Sequence, residues 1–144
     1  MSHCTRIKIR GYHLDFYGHV NNARYLEFLE EARWAYLEDG VDLGYWMERG
    51  LGFVVAAVTI NFRRPAGLNT VIEVRSRVSR LSGKSGVIHQ DVVDTATGKP
   101  IADADVTFVV VSTKTGQAVA IEGEIKEQLQ DRLEKSDAPD ETDR

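Results

Sequence analysis

Hydrophobic and polar positions follow two different periods along this chain of 144 residues. From about Asn22 to Glu38 the apolar residues recur every three or four positions, which predicts an amphipathic helix. From Phe53 onward the pattern becomes that of strands, with short apolar runs and alternation separated by Gly-, Pro- and Ser-containing turns. The chain is therefore expected to place one long early helix before a set of sequential strands.

Strands are predicted at residues 5–10, 53–62, 71–79, 87–94 and about 102–110, with a short return strand at 118–121. The segment 53–62 is almost continuously apolar, which indicates a strand covered on both faces. In the segment 71–79 polar and apolar residues alternate, so this strand should have one packed face and one solvent-exposed face. A short helix is expected within 41–50, and another near the C-terminus, where Ile125, Leu129 and Leu133 share a four-residue spacing. These elements predict an α+β fold class, in which the long helix buries its apolar face against an antiparallel sheet.

Composition is that of one soluble domain, with 42% hydrophobic and 28% charged residues. We assign residues 1–133 to this domain and expect the acidic segment 134–144, which carries a net charge of −3 and has no aromatic residue, to be disordered. The chain has no apolar run long enough for a membrane span and no signal-like N-terminus, which predicts a cytoplasmic protein without a membrane partner. Cys4 is the single cysteine, and no Cys/His spacing suggests zinc, so we expect neither a metal nor a cofactor.

Positive charge is concentrated in residues 63–84, which carry a net +5, while residues 1–133 together carry only −1. A local basic segment in a domain that is not basic favours a small anionic ligand over nucleic acid. Arg75 and Arg77 alternate along a predicted strand and suit a solvated face. Loops contain or adjoin Arg63, Arg64 and Lys84. For these three residues, contact with a bound anion is as plausible as a solvated surface position.

The stretch from Asp15 to Tyr25 reads DFYGHVNNARY and combines a carboxylate, a glycine turn and the start of the long helix. Asn is a favoured N-cap, and a helix start offers free N–H groups and a partial positive charge. An acid/base group just before such an anion site suits chemistry in which a carbonyl oxygen becomes negative, such as attack on an acyl group. The structural alternative is that Asp15 only caps a turn or the following helix.

This stretch, followed by Glu30-Glu31-Ala32-Arg33, resembles the hotdog-fold acyl-CoA thioesterases of the 4-hydroxybenzoyl-CoA thioesterase type, over roughly residues 5–121. The resemblance implies a hotdog fold, in which a curved antiparallel sheet of about five strands wraps the long central helix. It also implies hydrolysis of an acyl-CoA to a carboxylic acid and CoA. Asp15 would act as nucleophile or as base for a water molecule, and the backbone N–H of Asn22 would bind the oxyanion.

The motif and its flanks also contain histidines and tyrosines that bear on the site. His19 either fixes the loop or orients Asp15 and polarises the carbonyl. Tyr17 and Tyr25 are expected to contact substrate, although plant acyl-ACP thioesterases, which the motif also resembles, have Asn at the position of Tyr17. His13 is expected to be an ordinary loop residue and His89 to be uninvolved.

The resemblance also bears on binding and assembly. In the family, loops equivalent to those containing Arg63, Arg64, Lys84 and Ser85 line the nucleotide end of CoA, often from a neighbouring subunit. A single small hotdog unit leaves sheet edges open, so we expect at least a dimer, and a tetramer as the final assembly. Two rival functions remain, an acyl-ACP thioesterase and a non-catalytic acyl-CoA-binding protein; a hydratase of the related hotdog branch is disfavoured because its Asp/His pattern is not apparent.

Overall fold

A computed structural model describes residues 3–137, and side chains as far as residue 132. The elements are β1 (His3–Lys8), α1 (Asn22–Glu38), α2 (Leu43–Glu48), β2 (Leu51–Phe62), β3 (Val71–Leu81), β4 (Ser85–Asp94), β5 (Pro100–Ser112) and α3 (Gly123–Asp137), with a 3-10 turn at Gly11–His13. All five strands form one antiparallel sheet in the order β1-β3-β4-β5-β2. The predicted α+β class, the long helix and its bounds are confirmed.

Helix α1 packs its apolar face on the middle of the sheet. Its buried residues are Tyr25, Phe28, Leu29, Ala32, Tyr36 and Leu37. A polar anchor crosses this interface: Gln90 of β4 is fully buried and donates from Nε2 to the carbonyl of Leu29 at 3.0 Å and to Oγ of Ser76 at 2.9 Å. Arg33 donates from Nη1 to Oε1 of Gln90 at 3.1 Å. Because a buried amide is costly unless it is bonded, this network fixes how α1 sits on the sheet.

Strand β2 differs from its prediction. The almost continuous apolar run was expected to be covered on both faces, but β2 is an edge strand, and most of its residues are exposed. Val54, Val55, Val58 and Phe62 are 36–48% exposed. The prediction was wrong for the single chain. An apolar run indicates that a strand favours burial, but it does not indicate whether the same chain or another surface buries it.

The return segment after β5 is also less regular than predicted. A turn at residues 113–116 brings the chain back along β5, but the pairing is one isolated bridge between Val111 and Ala118 in place of a strand at 118–121. The segment leaves the sheet at once, since Ile121 donates its N–H to Gly83 and is buried beside α3.

Helix α3 closes one end of the core. Ile125 and Leu129 are buried in a cluster with Tyr36, Val78 and Phe108, as their spacing predicted, whereas the side chain of Leu133 lies outside the described part. The helix continues to Asp137, past the domain boundary given to residue 133, and the rest of the predicted tail lies outside the described residues. No helix within residues 3–137 is long and apolar enough to cross a membrane.

Candidate functional site

Asp15 lies in a tight loop that its own side chain helps to hold. Its Oδ1 accepts the N–H of Tyr17 at 2.9 Å and the N–H of His19 at 3.3 Å. Its backbone N–H donates to His19 at 2.8 Å, and its carbonyl accepts from Gly18 at 3.1 Å. Gly18 has φ +78°, a conformation that side chains disfavour, which explains the glycine in the motif. Asp15 therefore does stabilise the turn, and it does so through Oδ1, so Oδ2 remains available to contact a ligand.

The acid loop (residues 14–20) is closed at its base and tied at its C-terminal end to the connection between β2 and β3. Leu14 and Val20 form a bridge across the base of the loop, and His19 forms a second bridge with Gly67. Val20 donates its N–H to Ala66 at 2.9 Å. An exposed loop anchored in this way holds its carboxylate in one place relative to the sheet.

Helix α1 begins directly after the acid loop. Asn21 is its N-cap, and Oδ1 of Asn21 accepts the N–H of Ala23 at 3.0 Å. Among residues 3–137 no hydrogen bond uses the N–H of Asn22, the first helical residue. The helix start therefore presents an unoccupied donor and the positive end of its dipole.

A cleft of about 290 Å³ brings these groups together. It is lined by Asp15, His19, Val20, Asn22, Tyr25, Phe62, Arg63, Arg64 and Pro65. Six of the nine site residues predicted from sequence thus share one cavity. Burial raises the pKa of Tyr25 to about 12, so its hydroxyl remains protonated at neutral pH and keeps its capacity to donate.

The two arginines of the cleft differ in their electrostatic surroundings. Arg63 donates from Nε to Oδ2 of Asp103 at 2.7 Å, and this hydrogen bond raises the pKa of Arg63 and lowers that of Asp103. Arg64 is exposed, and no side chain of the described residues forms a hydrogen bond or ion pair with it. The positive charge of Arg64 is therefore less compensated by a carboxylate than that of Arg63.

The other three predicted site residues lie elsewhere in the chain. Tyr17 is 80% exposed at the tip of the acid loop, where its ring contacts Phe16. Lys84 and Ser85 lie at the turn between β3 and β4, at the far end of the 11-residue β3, roughly 30 Å along the strand from the acid loop. Within one subunit they do not line the cleft, so their role in binding stays a prediction.

Two further features of this region add to the predicted site. The first is His13, which was expected to be an ordinary loop residue but is only 8% exposed, with its ring edge-on to Phe28 of α1. The second is an apolar groove of about 630 Å³ beside the cleft, between α1, α2 and β2. Leu26, Trp34, Trp46, Phe53, Val55 and Val58 are among its lining residues. One wall of the groove is formed by β2, whose residues appear in the sequence as an almost continuous apolar run.

The arrangement suits a reaction at an acyl carbonyl. A carboxylate and an unused helix-start N–H open into one cleft, so a carbonyl placed there would meet an attacking group or base and an oxyanion donor. No group of three or more His, Cys, Asp or Glu side chains within residues 3–132 has metal-binding geometry.

Known proteins are similar to this chain in sequence and in architecture. The chain is 48% identical over 126 residues to the long-chain acyl-CoA thioesterase FadM of Escherichia coli K12, which covers 88% of this chain and 96% of that protein. It is 26% identical to the chloroplastic acyl-acyl carrier protein thioesterase ATL3 of Arabidopsis thaliana, over 94% of this chain and 72% of that protein. The crystal structure of YbaW, a probable thioesterase from Escherichia coli, matches with a TM-score of 0.84 and 47% identity, covering 90% of this chain and 98% of that one.

The predicted hotdog fold is confirmed by these structural matches. The family model described as the thioesterase-like superfamily matches residues 9–129, which is most of the chain. This protein belongs to the thioesterase-like superfamily.

Proposed function

We propose that this protein hydrolyses acyl-CoA thioesters to a free carboxylic acid and CoA. The observation that carries the proposal is the shared cleft of Asp15 and the N–H of Asn22, a carboxylate and an oxyanion donor on adjoining segments. The 48% identity to a long-chain acyl-CoA thioesterase, over nearly the whole of that protein, supports both the reaction and the carrier.

Asp15 is the reacting acid in this proposal. Oδ2 of Asp15 either attacks the thioester carbon, giving an anhydride that water then opens, or removes a proton from a water molecule that attacks the same carbon. In both routes the C–S bond breaks, the acyl carbon gains a hydroxyl oxygen and the departing thiolate takes a proton. His19 lies beside Asp15 in the cleft and either orients the carboxylate or only holds the loop.

The start of α1 supplies the oxyanion site. The N–H of Asn22 stabilises the negative oxygen as the carbonyl becomes tetrahedral, assisted by the helix dipole. The side chain of Asn22 is not required for this, because the donor belongs to the backbone. Tyr25, which lines the same cleft, contacts the substrate near the reacting group.

The apolar groove receives the acyl chain. Tyr25 and Phe62 line the cleft, and Leu26 and Val58 line the groove, so the two cavities adjoin along α1 and β2. An apolar groove of about 630 Å³ favours a long aliphatic chain, since burial of each methylene contributes about 0.8 kcal/mol.

The nucleotide end of CoA binds through positive side chains. Arg64 contacts a phosphate from the cleft, and Arg63 contributes the smaller share because Asp103 already compensates its charge. Lys84 and Ser85, with Tyr17 at the exposed loop tip, contact CoA or the acyl group from a neighbouring subunit. No metal or other cofactor takes part.

The proposed assembly is a dimer formed through β2, and a tetramer made of two such dimers. β2 has an unpaired edge and exposed valines, and a second copy paired along it would cover both. It would also close the open side of the groove, so the acyl site is complete in the dimer. A cytoplasmic location, with neither nucleic acid nor membrane as partner, remains part of the proposal.

Release of CoA thiol from acyl-CoAs of increasing chain length tests the function. We expect turnover that improves from short to long chains and is inhibited competitively by free CoA. Preference for the same acyl group on acyl carrier protein, with no inhibition by CoA, would replace the proposal by an acyl-ACP thioesterase. Tight binding of every acyl-CoA without turnover would indicate a non-catalytic binding protein.

A further inference from the structure

His13 connects the two halves of the proposed machinery, although no step of the reaction uses it. Its carbonyl accepts the N–H of Asn21, the N-cap of α1, at 2.9 Å. Its own N–H donates to the carbonyl of Arg10 at 3.0 Å, and the acid loop begins at the next residue, Leu14. One residue therefore joins the strand end, the loop that contains Asp15 and the start of the helix.

The imidazole of His13 fixes this junction from the inside. Its Nδ1 accepts the N–H of Arg10 at 2.8 Å, so the side chain and the backbone of His13 close the 3-10 turn with a reciprocal pair of bonds. The ring lies edge-on to Phe28 of α1, with centroids 4.9 Å apart, and also contacts Tyr12. An aromatic contact to the helix and a hydrogen bond to the strand end leave the ring little freedom.

This geometry requires a neutral ring. An Nδ1 that accepts a hydrogen bond has no proton, so protonation of His13 would break the bond to Arg10 and bury a charge. Burial lowers the pKa of His13. Of the nearby charges, Arg24 and Arg10 lower this pKa further and Glu27 raises it. The surroundings thus favour the neutral form required by the hydrogen bond.

We propose that His13 is a positioning residue that holds the Asp15 carboxylate in register with the N–H of Asn22, and that it does so only as a neutral imidazole. The inference rests on the proposed roles of Asp15 and Asn22. We call the hydrogen bond of His13 to Arg10 and its ring contact with Phe28 the brace. Loss of the brace would let the acid loop shift relative to the helix start, which affects the chemical step more than substrate binding.

Two substitutions separate the hydrogen bond from the ring. His13→Asn keeps an acceptor, Oδ1, at the position of Nδ1 and cannot be protonated near neutral pH. His13→Phe keeps a ring against Phe28 and has no acceptor. We expect kcat to fall about tenfold in the Phe variant with KM changed less than about twofold, and to recover to within about threefold of wild type in the Asn variant.

The pH profile provides a second readout. Because burial holds the pKa of His13 below the usual value for histidine, kcat of wild type should decline in the acid range as His13 becomes protonated, while that of His13→Asn declines less. Equal kcat in the Phe variant and wild type, or superimposable acid limbs in the Asn variant and wild type, would overturn the proposal. A fall in thermal stability with no change in kcat would show that His13 is only a core residue.

Amide hydrogen exchange tests the brace without any assay of activity. Protection of the N–H groups of Asp15, Gly18 and Asn21, each bonded within the junction, should be lower in His13→Phe than in His13→Asn. If wild type proved inactive on thioesters, the proposed function would fail while this comparison still tested the brace. If the Phe variant did not fold, lower protection of these amides in wild type at pH 5 than at pH 7 would support the proposal, and equal protection would refute it.

Discussion

Nε of Arg63 lies 2.7 Å from Oδ2 of Asp103, whereas the adjacent Arg64 extends from the same cleft without such a partner among the described residues. Two consecutive arginines of the sequence therefore differ in what they can offer an anion. Asp103 also accepts from Asn61 at 3.0 Å, which holds the carboxylate in place against Arg63.

Arg64→Ala should raise KM for an acyl-CoA about tenfold, since a charge-assisted hydrogen bond contributes about 1.5–3 kcal/mol. The same substitution should change KM for the matching pantetheine thioester, which lacks the nucleotide phosphates, less than about twofold. Steady-state kinetics on both substrates provides the measurement. Arg63→Ala is the matched control, with a smaller effect on KM for acyl-CoA; equal effects of Arg64→Ala on both substrates would remove the phosphate assignment.

Asn22→Pro tests the oxyanion donor at the start of α1. Proline is well tolerated at the first helical position, and Asn21 already has the extended conformation (ψ 134°) favoured before proline. The substitution therefore removes the N–H with little expected damage to the helix, and kcat should fall about 10²–10³-fold.

Asn22→Ala serves as the control for this experiment, because it keeps the N–H and changes only the side chain. We expect it to retain most activity. Circular dichroism should show both variants folded, and near wild-type kcat in Asn22→Pro would exclude this N–H as the oxyanion donor.

His89 makes stability depend on pH in the alkaline range. Its Nε2 contacts Asp91 at 3.0 Å and its Nδ1 contacts Asp105 at 2.8 Å, and these bonds raise its pKa to about 9. Protonation thus favours the folded state: the contribution is fully present below pH 6.5 and is lost as pH rises through about 9. Because His89 is partly exposed and solvent screens its ion pairs, the contribution to stability is about 1 kcal/mol.

Urea unfolding at pH 6 and pH 9.5 measures this contribution. His89→Gln should be less stable than wild type at pH 6 and nearly equal to it at pH 9.5. Asp105→Asn should reduce the same difference, and the double variant should show less than the sum of the two effects. A constant gap between wild type and His89→Gln at both pH values would contradict the prediction.

The exposed edge of β2 should be the dimer contact. Val58→Lys places a charge on an apolar surface that a second copy would cover, and should shift the protein toward monomer with loss of long-chain hydrolysis. Sedimentation velocity would measure the mass. Ala96→Lys, an equally added charge in the exposed turn after β4, should leave the assembly unchanged; a dimer unaffected by Val58→Lys would place the interface elsewhere.

Sequence predicted well the features that depend on local periodicity, which are the long helix and the loop before it. The bounds of α1 follow from its apolar spacing and from Asn21 before it, and the Asp15 loop follows from Gly18. In both cases the determining residues are neighbours in the chain.

Features set by distant pairing could not be predicted in this way. The edge position of β2 depends on sheet order, and the burial of His13 depends on Phe28, which lies 15 residues further along the chain. The Gln90 anchor joins β4 to α1 across 61 residues, and no spacing rule relates the two. Arg63 and Arg64 look alike until Asp103 is placed beside one of them.

The proposed mechanism depends most on the negative charge of Asp15. Because Asp15 also holds the turn through Oδ1, one substitution can remove the charge and leave the turn in place. Asp15→Asn keeps Oδ1 and hence the bonds to the N–H groups of Tyr17 and His19, whereas Asp15→Ala removes both charge and turn. A variant with the loop intact and the charge absent separates catalysis from structure.

The most direct test is therefore kcat/KM of Asp15→Asn on a long-chain acyl-CoA, compared with wild type at equal thermal stability. We expect kcat/KM to fall about 10²–10⁴-fold, the range for loss of an acid/base group. A folded Asp15→Asn variant with activity close to that of wild type would contradict this prediction.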